Sequence, residues 1–196
     1  MRGERIESVK VGMQALVASL RQDPHALESV YLSIITFDRE TKVLCPLTSL
    51  ESFQMPLLEC PETGATHLGG ALRIVCECVD REVIRGTVDR KGDWRPLLVI
   101  MTDGKPSDTA EFNEWAEKIR KRGFGNIIAC AAGSSAKAEP LQKVADHVVT
   151  LDTADGATLT SYFKWVSTTV SNGAMSMGAS PELTLPPPPP EVHVVV

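Results

Sequence analysis

Asp103 follows the apolar run Leu97-Leu98-Val99-Ile100-Met101-Thr102 and opens the loop Asp103-Gly104-Lys105-Pro106-Ser107-Asp108. An unbroken apolar run of this length reads as a strand buried on both faces, as in a parallel sheet covered by helices. The carboxylate then lies just past the strand's C-terminal end, on the rim where open α/β sheets bind ligands and ions. A carboxylate there suits a hard, oxygen-seeking cation such as Mg²⁺. Asp-Gly is also an ordinary turn pair, and one carboxylate is not a site. The remaining chemistry has to come from elsewhere in the chain.

Little else competes for a chemical role. The sequence has no Gly-x-x-x-x-Gly-Lys-Ser/Thr phosphate loop, no Gly-x-Ser-x-Gly elbow and no His-Glu-x-x-His pair. Its four histidines do not assemble a nucleophile with a base. The five cysteines, an odd count with no apolar export segment behind Met1, read as reduced thiols of a cytoplasmic protein. Cys76 and Cys78 fall two apart on a predicted helix, a poor spacing for zinc. A net charge of -5 with no Lys/Arg stripe argues against a nucleic-acid partner. The cluster Lys118, Arg120, Lys121, Arg122 sits at a predicted helix end, where cations suit the dipole. No apolar run approaches membrane-spanning length.

The elements that must position Asp103 follow from periodicity. Residues 4–22 carry Ile6, Val9, Met13, Leu16, Val17 and Leu20 in one helical stripe, ended by Asp23-Pro24. Val30–Phe37 reads as a strand, and Lys42–Leu47 as a shorter one folding back across a turn containing Asp38. Leu68, Leu72, Val75 and Val79 mark a second helix, for which Thr66 is a candidate N-cap. Pro96 opens the central strand. Ser107 or Asp108 caps a third helix, with Glu111 completing a capping box. Asn126–Ala132 and His147–Leu151 are further strands, with a short helix near Leu141–Ala145 between them. Leu159, Tyr162, Phe163, Val166 and Val170 define a last helix. Strands alternating with helices predict a doubly wound, mostly parallel α/β sheet with helices on both faces. The domain is expected over residues 1–171. Residues 172–196, with Pro186–Pro190 as a polyproline II rod, are expected to form a flexible tail. A docked alternative has Glu191–Val196 adding to a sheet edge.

Several segments together resemble the von Willebrand factor A domain. Gly64-Ala65-Thr66-His67-Leu68-Gly69-Gly70-Ala71-Leu72 is similar to the loop in which that family places a metal-binding threonine before a helix. Met101-Thr102-Asp103-Gly104 is similar to its acidic loop. The resemblance implies a metal-ion-dependent adhesion site with Thr66 and Asp103 as ligands for Mg²⁺ or Mn²⁺. An open coordination position would take a carboxylate from a protein partner, with Lys105 and His67 beside it as partner contacts. Ile6–Gly12, Ser33–Arg39, Lys91–Leu97 and the closing Pro-Pro-Pro-Pro-Pro-Glu-Val narrow the resemblance to the TerY-like family of bacterial tellurium-resistance and stress operons.

That family implies a non-catalytic adaptor for a kinase-like protein and a metal-dependent protein phosphatase. The alternatives are a hydrolase or phosphotransferase using Asp103, and a scaffold with a vestigial metal site. The same family begins with a hydrophobic strand running into Asp-Thr-Ser-Gly-Ser-Met-Arg-Gly, and Met1-Arg2-Gly3 is similar to the end of that motif. The resemblance therefore implies a central first strand and further ligands upstream of Met1, about ten to twenty residues, lost through a misplaced start. A natural truncation completed by a partner's strand is the alternative. In the 196-residue chain, Mg²⁺ is then expected to bind weakly or not at all.

Overall fold

The computed structural model describes residues 3–60, 64–133, 136–151, 153–175 and 185–195. The chain runs α1 (Glu4–Arg21), α2 (Pro24–Ser29), β1 (Tyr31–Phe37), β2 (Thr41–Ser49), α3 (Leu68–Glu82) and β3 (Leu97–Thr102). It continues through α4 (Thr109–Arg120), β4 (Asn126–Ala132), α5 (Ala138–Leu141), β5 (His147–Leu151), α6 (Gly156–Met175) and β6 (His193–Val195). Every strand and helix expected from the sequence is present within a few residues. The sequence reading missed α2. There Asp23-Pro24 ends one helix and starts another: the Asp23 carboxylate accepts from the His25 and Ala26 N–H groups at 3.0 and 3.4 Å. Pro24 takes the first helical position, where its missing N–H is no loss.

β3, β4 and β5 form parallel ladders, with Leu97 opposite Asn126 and Ile128 opposite His147. Alternate residues of β4 face opposite layers. Ile127, Ala129 and Ala131 meet Leu68 and Leu72 of α3 and Phe112 and Ile119 of α4. Ile128, Cys130 and Ala132 meet Val9 of α1 and Leu159, Tyr162 and Val166 of α6. Helices therefore cover both faces, as the alternation of elements predicts. The chain's α/β class and its mostly parallel sheet stand.

Among the described residues the closing segment follows the docked alternative: β6 adds antiparallel to β5, with Val148 opposite Val195 and Thr150 opposite His193. Val192 is buried, and the Trp165 indole N–H donates to the Pro186 carbonyl at 2.9 Å. The polyproline rod thus delivers a short valine strand to an edge that would otherwise be open. α6 also runs on to Met175, past the expected domain end at Ser171; residues 176–184 lie outside the described set. β1 and β2 pair antiparallel as a separate hairpin, Tyr31 opposite Ser49 and Phe37 opposite Thr41, as the resemblance implies for a chain without the central first strand.

Candidate functional site

The C-terminal ends of β1 and β3 converge on the loop that precedes α3. Just past β1, the Asp38 carbonyl accepts from the His67 N–H at 2.8 Å. Just past β3, the Thr66 carbonyl accepts from the Ser107 N–H at 2.9 Å, and the Thr66 N–H donates to Ser107 Oγ at 2.8 Å. The two-way bond between Thr66 and Ser107 locks the threonine loop to the acidic loop. A β-carbon added at Gly104 would sit 2.9 Å from Thr66 Oγ1, so glycine here lets the hydroxyl lie against the loop carrying Asp103. The structure thus brings Thr66 and Asp103, 37 residues apart in number, to one rim.

Asp103 is 29% exposed. Arg5, in the first turn of α1, holds its guanidinium 4.0 Å from Oδ2 of Asp103. Sequence reading missed Arg5, because nothing in the periodicity of α1 says which loop its N-terminus meets. Lys105 is exposed beside the rim. His67 is half-buried, and its Nδ1 lies 2.9 Å from the Arg39 carbonyl, to which it donates. Together with its N–H bond to Asp38, that ties the histidine to the β1–β2 turn. Asp38 holds the same turn by accepting from the Glu40 N–H at 2.9 Å.

Neither predicted cap forms as expected. His67, not Thr66, occupies the N-cap position of α3, and it makes no side-chain cap bond. Asp108 does occupy the N-cap position of α4, but its Oδ2 accepts from the Gly70 N–H of α3 at 2.9 Å. Glu111 pairs with Arg73 at 3.2 Å instead of closing a capping box. The reason is the close approach of α3 and α4. A β-carbon at Gly69 would collide with the backbone of Phe112, and this intimacy lets α4's acids serve α3's N-terminus. The dipole there favours a carboxylate.

The donor set decides what the rim can hold. Mg²⁺ demands near-octahedral oxygen geometry and keeps several waters. Thr66 and Asp103 supply one hydroxyl and one carboxylate, and a guanidinium already neighbours the carboxylate. No group of three or more His, Cys, Asp or Glu residues suited to a metal occurs among the described residues. These residues alone do not fit a resident Mg²⁺. Three of the five thiols are held away from chemistry: Cys76, Cys78 and Cys130 are buried, and desolvation pushes each thiol's pKa up, away from the reactive thiolate. Three of the four residues of the basic cluster are engaged as well. Lys118 pairs with Glu114 at 2.6 Å, Arg120 with Asp146 at 3.8 Å, and Arg122 with Asp80.

The sequence pattern of the von Willebrand factor type A domain matches residues 1–162. Among solved structures, proximal thread matrix protein 1 from the mussel byssus superposes with a TM-score of 0.58 at 17% identity. The match covers 84% of this chain and 42% of that one. A second crystal form of the same protein gives 0.58 at 19% identity, covering 86% and 43%. This chain therefore spans less than half the length of that relative, and the likeness speaks to fold alone. No curated protein matches the sequence.

Proposed function

The chain belongs to the von Willebrand factor type A family, and on that footing we propose that it is a non-catalytic protein-interaction module. Its contact surface is the rim built by Thr66, His67, Asp103 and Lys105. The observation that carries this reading is the convergence of two strand ends on one loop, with a threonine hydroxyl packed against the acidic turn. Such a rim is where α/β sheets meet their ligands. Asp103 offers a half-exposed anion, and Lys105 an exposed cation for a partner's acid.

Mg²⁺ or Mn²⁺ belongs to this reading only together with oxygens from outside the described residues, a partner's carboxylate among them. The finer reading follows the TerY-like resemblance: a cytoplasmic adaptor in a tellurium-resistance or stress system, serving a kinase-like protein and a metal-dependent protein phosphatase. The test is binding of the chain to those two classes of protein from the same organism, with Mg²⁺ and with EDTA. Binding that EDTA and Asp103→Ala both abolish is the expected result. Binding indifferent to both would remove the rim from the interaction. Mg²⁺-dependent hydrolysis of p-nitrophenyl phosphate, lost in Asp103→Ala, would replace the module with a hydrolase.

A further inference from the structure

The five prolines Pro186–Pro190 do more than lead the chain to β6. A proline fixes its own φ and pushes the residue before it into extended backbone. Pro186, Pro187, Pro188 and Pro189 each carry that fixed φ and each precede another proline. The stretch is therefore held as a left-handed polyproline II rod, with about three residues per turn. Burial follows the same period. Pro186 and Pro189 are half-buried, whereas Pro187, Pro188 and Pro190 are exposed. One row of the rod lies on the domain, and two rows face solvent.

Both ends of the rod are pinned. Leu185 before it and Val192 after it pack into the core on the α1–α6 side of the sheet. The Trp165 indole N–H holds the Pro186 carbonyl at 2.9 Å, and the Val192 N–H closes a turn onto the Pro189 carbonyl at 3.0 Å. Aromatic-lined grooves recognise such rods because a preformed polyproline II helix loses little entropy on binding. We propose that the outward side of Pro187, Pro188 and Pro190 is a docking site for a protein with an aromatic-lined, proline-reading groove. The site is independent of the rim, because β4 and β5 stand between β6 and the strand that leads to Asp103.

The chemistry of the rod selects that occupant. Prolines have no N–H to donate, so the rod cannot take a partner strand by ladder pairing. It is uncharged from Leu185 to Pro190, which leaves nothing to attract a phosphate backbone or an anionic surface. What it does offer is flat apolar rings and carbonyl acceptors. The domain itself already uses one of these, where the Trp165 indole donates to Pro186 on the inner row. The outer rows present the same groups to a partner's aromatic side chains.

The test uses the full 196-residue chain, a synthetic peptide of residues 185–196, and an isotope-labelled WW domain that takes oligoproline. Chemical shifts of the labelled domain follow each titration. The expected result is saturable binding to the chain, at least about threefold tighter than to the peptide, because the docked rod is already ordered. Pro187→Ala combined with Pro190→Ala should weaken that binding at least about tenfold, since both lie on a row the groove grips. Pro186→Ala, on the row facing the domain, should leave the affinity unchanged. Amide hydrogen exchange of β5 and β6 should be the same with and without the WW domain. Faster exchange there on binding would mean that the groove peels the tail away, which overturns the docked site. Binding to the peptide alone, or to neither, overturns it as well. Equal losses from Pro186→Ala and the outer pair would overturn the division into rows, and the proposal with it.

Discussion

β4 lies between β3 and β5, and each of its seven residues is buried. β3 has β4 on one side and no strand among the described residues on the other, and four of its six residues are only half-buried. The two strands are equally apolar and lie between the same two helical layers. What separates them is a neighbour. Apolar content reports the layers above and below a strand, whereas burial in place also depends on the strands beside it. The unpaired flank has a thermodynamic side: unmet buried backbone groups cost about 1–3 kcal/mol each, against a typical net stability of roughly 5–15 kcal/mol. The half-burial of β3 goes with that open flank.

The contrast can be broken most directly by matched truncations. Ile128 is fully buried between the α1 and α6 side chains, so Ile128→Ala should lower the stability by about 2–5 kcal/mol. Val99 is half-buried on β3, so Val99→Ala should cost about 1 kcal/mol. Urea unfolding of both measures the difference. Equal costs would mean that β3 is as enclosed in solution as β4.

The next effect in size tests whether the two helical layers are equally rigid. Gly69→Ala forces a β-carbon into the Phe112 backbone, and overpacking of this kind costs about 1–3 kcal/mol. A helix interior normally welcomes alanine over glycine, so the sign is diagnostic: stabilisation would show that α3 and α4 stand further apart in solution.

β6 protects β5's edge, whereas no strand among the described residues pairs with β3's outer edge. Removing residues 185–196 takes away buried Val192 and the indole's acceptor at Pro186. The expected loss is about 2 kcal/mol, from the burial of one valine side chain, with a red shift of Trp165 emission as its cover leaves. A thermal melt and a fluorescence spectrum check both. If stability is unchanged, the tail does not close this edge in solution.

Much of this was legible in the sequence. Periodicity found α1, α3, α4 and α6, and the apolar runs found β3, β4 and β5. The pairing of Thr66 with Asp103 came through resemblance, because no local pattern tells one loop about another 37 residues on. Arg5's position at the rim, Asp108's bond to Gly70 and Glu111's to Arg73 depend on how close α1 and α4 come to their neighbours, and spacing does not encode that. The tail shows the same boundary from the other side. Its valines announced a strand, but only the open edge of β5 decides that the strand docks.

The smallest expected effect is also the most discriminating for the rim. The Arg5–Asp103 pair is 4.0 Å apart, with the side chains 47% and 29% exposed. Exposed pairs contribute about 0–1 kcal/mol, so Asp103→Ala should change stability by less than about 1 kcal/mol. Magnesium sharpens the point. A site with micromolar affinity would be about a thousandfold saturated at millimolar Mg²⁺ and would add about 4 kcal/mol to stability. One carboxylate and one hydroxyl should instead leave the melting temperature of this chain flat across a Mg²⁺ titration. A rise of several degrees that disappears in Asp103→Ala would mean that further oxygens complete the site within this chain. A flat curve for the chain alone, turning steep when a partner is added, would locate the missing oxygens on that partner.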